Sequence, residues 1–294
     1  MPASPFELDE LVAVIIGTFP ELRQSRFTLA AAGWDSVAVD VDDRLIFKFP
    51  RHADGEAGLR LEARILQLVA DSVTMPVPRL TLFDHPRLFS RHDKIPGEHL
   101  LTAEYEVLDA PDKQDLAERM GQFHAELHAI ELAAARHAGA EPLPPWSGAE
   151  QILQRAWPVL PESLRGFAER TMAQWAALAP DPHGARYGFF DGHGWNMAFD
   201  HERKRLNGVY DFGDSGIGPL HQEFIYSSLI SPDLTARIIA VYERHTGLPI
   251  DRDRVAVLTG THRLWELAEE AHLPEHVPDL VASVADWARL EQLT

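Results

Sequence analysis

Hydrophobic positions in the first third of the chain change period twice. Ser4-Pro5-Phe6-Glu7 has the form of a capping box with proline at the first helical position, so a helix is expected to start there, carry the apolar run through Ile16 and end near Gly17. From Arg26 the period becomes two: Val37, Val39 and Val41 alternate with Ala38, Asp40 and Asp42, then Leu45, Phe47 and Phe49 alternate with Ile46 and Lys48. Asp42-Asp43 is the expected hairpin turn between these strands. Leu61, Ile65 and Leu68 return to helical spacing until Met75-Pro76-Val77-Pro78 breaks the helix and leads into an extended stretch near Leu80 to Asp93. The pattern describes a small mixed lobe of strands with one internal helix.

Beyond Ile95-Pro96-Gly97 the character is helical. Leu116, Met120, Phe123, Leu127 and Ile130 form an apolar stripe on one long helix, residues 138–150 are loop-like, and helical patterns recur at about 161–178, 233–245, 251–270 and 278–292. A short extended island interrupts them at about 195–212. Two lobes follow from the change of pattern. With 45% hydrophobic and 24% charged residues the composition is that of a globular protein, and a net charge of -18 would repel nucleic acid and favour a cationic partner. The absence of cysteine excludes disulfides, zinc-thiolate sites, iron–sulfur clusters and cysteine nucleophiles. The first residues are acidic where a signal peptide would be basic, and the run from Leu11 to Ile16 is too short to cross a membrane, so a cytoplasmic location without membrane contact is expected.

Several motifs fail on inspection. His124-Ala125-Glu126-Leu127-His128 lacks the glutamate directly after the first histidine that a zincin requires, and Gly213-Asp214-Ser215-Gly216 has Ile217 where a nucleophile elbow needs its second glycine. No Walker A sequence or dinucleotide fingerprint occurs. One constellation survives: Phe189-Phe190-Asp191-Gly192-His193-Gly194-Trp195-Asn196, followed across one hairpin by Val209-Tyr210-Asp211-Phe212-Gly213-Asp214. Phosphoryl transfer needs a carboxylate near the acceptor hydroxyl and oxygen ligands that hold Mg²⁺ against nucleotide phosphates; Asp191 suits the first role, Asn196 and Asp211 the second. In the N-terminal half, Lys48 lies mid-strand and can reach a phosphate, Glu62 on the following helix can pair with it, and the turn Ala32-Gly33-Trp34-Asp35-Ser36 can cover phosphates with backbone N–H groups.

This order of parts resembles the protein-kinase-like aminoglycoside phosphotransferase family, in particular the subgroup acting on the 2″-hydroxyl of aminoglycosides. The similar stretches are Gly33 to Ser36, Phe47 to His52, Pro76 to Pro78, Lys94 to Gly97, Asp191 to Asn196 and Gly208 to Asp214, within roughly residues 27–225. The resemblance implies an α+β, two-lobed protein-kinase-like fold: a small antiparallel-sheet N-lobe over 1–94 that binds nucleotide, a hinge at 95–98, and a mostly helical C-lobe over 99–294 with the catalytic loop and acceptor site. It implies ATP or GTP with its base against the hinge around Asp93 and Ile95, Lys48 and Ser36 on the phosphates, Asp191 as base, and Asn196 and Asp211 on Mg²⁺.

Two departures stand out: Phe189 replaces the family's histidine two residues before the catalytic Asp, which leaves a buried carbonyl without a donor, and Gly194-Trp195 replaces Pro-Gly. For the acceptor, Glu266, Glu269 and Glu270 share a helical face that the resemblance places beside the acceptor pocket, suiting a cationic, hydroxyl-bearing amino sugar. Glu223 and Trp265 are read as structural. The expected protein is a Mg-dependent antibiotic-type kinase, a monomer or weak dimer. The alternatives are a kinase of the same fold for another small metabolite, and a catalytically crippled nucleotide-binding protein.

Overall fold

The computed structural model describes residues 7–32 and 36–291. Ser4 to Phe6 of the expected capping box and Gly33 to Asp35 of the expected phosphate turn lie outside the described residues. Helix α1 (Leu8–Thr18) follows Glu7 and carries Asp9 and Glu10 in its first turn, where their charge suits the positive end of the helix dipole. It buries Leu11 and Ile15 on the sheet.

The sheet contains β1 (Phe27–Ala32), β2 (Ser36–Val41) and β3 (Leu45–Pro50). Asp42 and Asp43 turn the β2–β3 hairpin with φ of 58° and 57°, a left-handed conformation that aspartate tolerates and that matches strand twist. The period-two pattern holds in the fold: Val37, Val39, Val41, Leu45, Phe47 and Phe49 all face one core with α1 and Phe89. Helix α2 (Ala53–Ser72) is capped by His52 Nδ1, which accepts from Gly55 N at 3.1 Å. Its buried face is Leu59, Glu62, Ile65, Leu66 and Val69; of the expected stripe only Ile65 is buried, while Leu61 and Leu68 are partly covered at the edge of the core beneath. Strands β4 (Thr81–Phe83) and β5 (Phe89–Asp93) complete an antiparallel five-stranded sheet in the order β1-β2-β3-β5-β4.

The rest of the chain is mostly helical. It runs α3 (Thr102–Glu106), α4 (Ala110–His128), α5 (Leu132–Ala138), α6 (Ala149–Ala156), α7 (Glu162–Ala177), β6 (Ala185–Gly188), β7 (Met197–Asp200), β8 (Arg205–Val209), β9 (Gly216–Pro219), a 3₁₀ segment (Leu220–Leu229), α8 (Pro232–Thr246), α9 (Arg252–Glu270) and α10 (Val277–Glu291). Leu116, Met120, Phe123 and Leu127 are the buried stripe of α4, and Ile130 lies just past its end. One core joins α2, α4, the central hairpin and α8; a second joins α6, α7, α9 and α10. This is the two-lobed, protein-kinase-like α+β architecture expected from the sequence. Among the described residues no helix is long and apolar enough to cross a membrane.

Candidate active site

Lys48 stands at the centre of β3, paired with Ala38 of β2 and Ser90 of β5. The strand alternation that buries Phe47 and Phe49 sends Lys48 to the opposite face, toward α2 and the C-lobe. There its Nζ donates to both carboxylate oxygens of Glu62, at 3.1 and 3.0 Å, and to Asp211 Oδ1 at 3.2 Å. Burial alone would lower the Lys48 pKa, but the charges of Glu62 and Asp211 more than offset it and hold the ammonium above its ordinary value. One cation therefore ties the N-lobe helix to the C-lobe.

The opposing loop leaves β6 at Gly188. A Cβ there would lie 2.1 Å from Glu223 Oε2, so the close approach needs glycine. Glu223, from the 3₁₀ segment, accepts from Phe189 N and Phe190 N at 2.9 Å each. His128 holds the same carboxylate at 3.2 Å and reaches Tyr242 at 3.0 Å with its other nitrogen. Burial would raise the Glu223 carboxyl, yet His124, His128 and the Phe190 N–H outweigh it and keep it below the usual range. This buried anchor braces the loop from its N–H side, and it secures Phe190 in a left-handed conformation, φ 51°, that a bulky residue rarely adopts. Phe189 itself is fully buried, its ring 4.7 Å from Phe212 and 5.9 Å from Phe123.

Asp191 emerges from this brace with each carboxylate oxygen engaged. Asn196 Nδ2 donates to Oδ2 at 2.6 Å, and His193 Nε2 lies 3.0 Å from Oδ1. Burial opposes protonation of His193, but the hydrogen bond and charge of Asp191, with Glu266 beyond, hold its pKa above the ordinary value. Asn196 and Asp211 are adjacent because β7 and β8 pair Met197 with Val209, and Tyr210 N donates to Asn196 O at 3.0 Å. Asp211 has φ 64° and a side chain 53% exposed. Trp195 is accommodated by pointing outward, 55% exposed, with its ring 4.9 Å from His99.

The remaining expected site residues are dispersed. Ser36 opens β2 opposite Pro50, Asp93 ends β5 opposite Leu45, and Ile95 packs against the backbone at Gly208. Concavities of about 580 and 350 Å³ flank residues 93–96, and neither is lined by Lys48, Asp191 or Asp211. The three acids of α9 do not form a common wall. Glu269 is taken up by Arg155 at 2.8 and 2.9 Å and by Ser147 at 2.8 Å, and Glu270 pairs with His276 at 2.7 Å. Glu266 differs from the other two: it sits 3.3 Å from His262, and the charges of His262, Arg263 and His193 together overcome burial to keep its carboxyl below the usual range. Trp265 stacks on Trp146 with centroids 6.1 Å apart, as a packing residue would. His193 is the residue that sequence reasoning passed over; its signal was its place in the loop between Asp191 and Asn196.

Comparison with known proteins identifies the family and the fold. The sequence pattern described as the phosphotransferase enzyme family matches residues 26–258. Comparison with curated protein sequences gives no match. Among solved structures, a mutant of aminoglycoside 2'-phosphotransferase-IIIa in complex with GDP is similar at TM-score 0.82 and 20% identity, covering 96% of this chain and 98% of that one. A GDP and kanamycin complex of a 2″-phosphotransferase superposes at TM-score 0.75 and 20% identity, covering 95% and 98%. Macrolide 2'-phosphotransferase type I is similar at TM-score 0.67 and 16% identity, covering 94% and 96%. At these identities the superpositions establish the shared fold, and the sequence match over most of its length establishes that the chain belongs to the phosphotransferase enzyme family.

Proposed function

We propose that this phosphotransferase moves the γ-phosphoryl group of ATP or GTP onto a hydroxyl of an aminoglycoside or similar amino-sugar compound, with Mg²⁺ on the nucleotide. The observation that carries the reading is the convergence of five groups from distant elements: Lys48 bridges Glu62 and Asp211, while Asn196, beside Asp211 on the hairpin, holds Asp191. Lys48 would exchange its contact with Asp211 for phosphate oxygens while Glu62 keeps it directed. Asp191 would orient the acceptor hydroxyl and take its proton as the acceptor oxygen bonds to phosphorus and the bond to the bridging β,γ-oxygen breaks, releasing the nucleoside diphosphate.

The residues fit the cation. Asn196 spends its amide N–H on Asp191, leaving its carbonyl oxygen as a ligand, and Asp211 presents a half-exposed carboxylate. Among the described residues no three His, Asp or Glu side chains converge as a metal cage, so phosphate oxygens would complete the coordination of Mg²⁺. When bound there, the ion would neutralise charge on the phosphates. Recognition of the acceptor falls chiefly to Glu266, because Arg155 already compensates Glu269 and His276 occupies Glu270. The relatives whose complexes contain kanamycin or GDP support an amino sugar and a purine nucleotide.

The test is a coupled nucleotide-turnover assay with Mg²⁺, ATP or GTP, and a panel of aminoglycosides and other small hydroxyl acceptors. Asp191→Ala should lower kcat by roughly 10²- to 10⁴-fold while nucleotide affinity stays within about two-fold of wild type. Glu266→Gln should raise acceptor KM several-fold with kcat spared. Turnover by Asp191→Ala at the wild-type rate would remove the base, and turnover confined to uncharged acceptors would remove the amino-sugar assignment.

A further inference from the structure

Asp191 is held from two sides by residues of its own loop. Asn196 Nδ2 takes Oδ2 at 2.6 Å and also reaches the Asp191 carbonyl at 3.1 Å, whereas His193 Nε2 takes Oδ1 at 3.0 Å. The loop is wound tightly enough to make both contacts: His193 N donates to Asp191 O at 2.8 Å, and Asn196 N donates to His193 O at 3.1 Å. A carboxylate gripped at one oxygen still rotates about its terminal torsion, which is broad for aspartate. Grip at both oxygens fixes its plane. The His193 ring is itself confined, with a side chain 22% exposed and its Nδ1 buried without a hydrogen-bond partner. That leaves Nε2 as the nitrogen that carries the ring's hydrogen bond. The charge of Glu266 on α9 also acts on the ring, and Glu266 itself sits 3.3 Å from His262.

We propose that His193 is a positioning residue for Asp191: its Nε2–H donates to Oδ1 and fixes the plane of the carboxylate against Asn196. The kinetic consequence rests on the phosphotransfer reading above; the hydrogen bond itself does not. Misplacing a reacting group by about 1 Å costs up to about 10²-fold in rate, so loss of one of the two grips belongs at or below that size.

Two measurements test it. In protein labelled with ¹⁵N-histidine, with His193→Gln used for assignment, the His193 ring should show a protonated Nε2, and Asp191→Asn should shift that resonance; a His193 signal indifferent to Asp191→Asn overturns the proposal whether or not an acceptor has been found. In the turnover assay, His193→Ala should lower kcat roughly 10- to 100-fold with both KM values within about two-fold of wild type. His193→Gln, which keeps an N–H donor, should recover part of the loss. His193→Ala added to Asp191→Asn should lower the rate no further, because the two act as one unit. A wild-type kcat in His193→Ala, or equal losses from His193→Ala in the presence and absence of the Asp191 carboxylate, refutes it. If wild-type protein transfers phosphate to no acceptor, the phosphotransfer reading fails while the ring resonance still decides the hydrogen bond.

Discussion

Phe189 occupies the position where the resemblance expects a histidine, and its surroundings explain how the loop keeps its shape. The expected gap, a carbonyl without a donor, concerns one side of the loop; the other side is gripped by two hydrogen bonds to Glu223, an acid the sequence places 34 residues away. The ring is fully buried between Phe123 and Phe212. Phe189→Ala is expected to destabilise the protein by about 3–5 kcal/mol through lost burial and an unfilled cavity, measured by urea unfolding, and Phe189→Leu by much less. A loss under about 1 kcal/mol for Phe189→Ala would mean that the loop can collapse onto the space. Residue identity singled out Lys48, Asp191, Asn196 and Asp211 in the sequence because the proposed reaction asks each for one particular atom. The partners that tune them were less legible: Arg155 meets Glu269 across 114 residues and has no local signature.

Among elements, long periodic segments were readable and short ones were not. The alternation in β2 and β3 and the stripe of α4 persist in the fold, since each buries a continuous face. Strands β6 and β9 were missed because each has four residues and they pair with each other across the whole β7–β8 hairpin, so neither shows its pattern alone. Helix α6 and the 3₁₀ segment, next to proline and glycine, were missed for similar reasons. Where α4 and α8 cross, Gly121 sets the spacing: an added Cβ would fall 2.6 Å from Val241 Cβ and 3.0 Å from Ile238 O. Gly121→Ala is therefore expected to cost about 1–3 kcal/mol despite alanine's better helix propensity, and Val241→Ala in the same chain should cost less than in the wild-type background. Denaturant titration of the four proteins measures the cycle. Additive losses would show that the helices do not depend on that contact.

At the scale of the molecule, buried ionisable groups join the lobe cores to the pH of the solvent. His124 is buried beside Glu223, with Nδ1 3.6 Å from its carboxylate, too long for a hydrogen bond. Burial lowers its pKa to about 4, with His128 adding to the effect and Glu223 opposing it. The unfolded chain takes up this proton below about pH 6.5 and the folded chain does not until about pH 4, so stability falls as pH drops through that window. Between pH 7 and 5 the expected loss from this group is ~2 kcal/mol, and His124→Gln should flatten the profile in urea titrations at the two pH values. Equal losses in both proteins would exclude His124 as the source. The sequence by itself determined the class of fold and the two-lobed division and singled out Lys48, Asp191, Asn196 and Asp211 for the proposed site, because hydrophobic period and short-range motif spacing are properties of neighbouring positions. Tertiary structure alone decided that the Phe189 and Phe190 N–H groups are the ones Glu223 accepts from, and that Glu269 pairs with Arg155. These outcomes depend on which side chains distant in sequence meet in space, and no local pattern encodes that proximity.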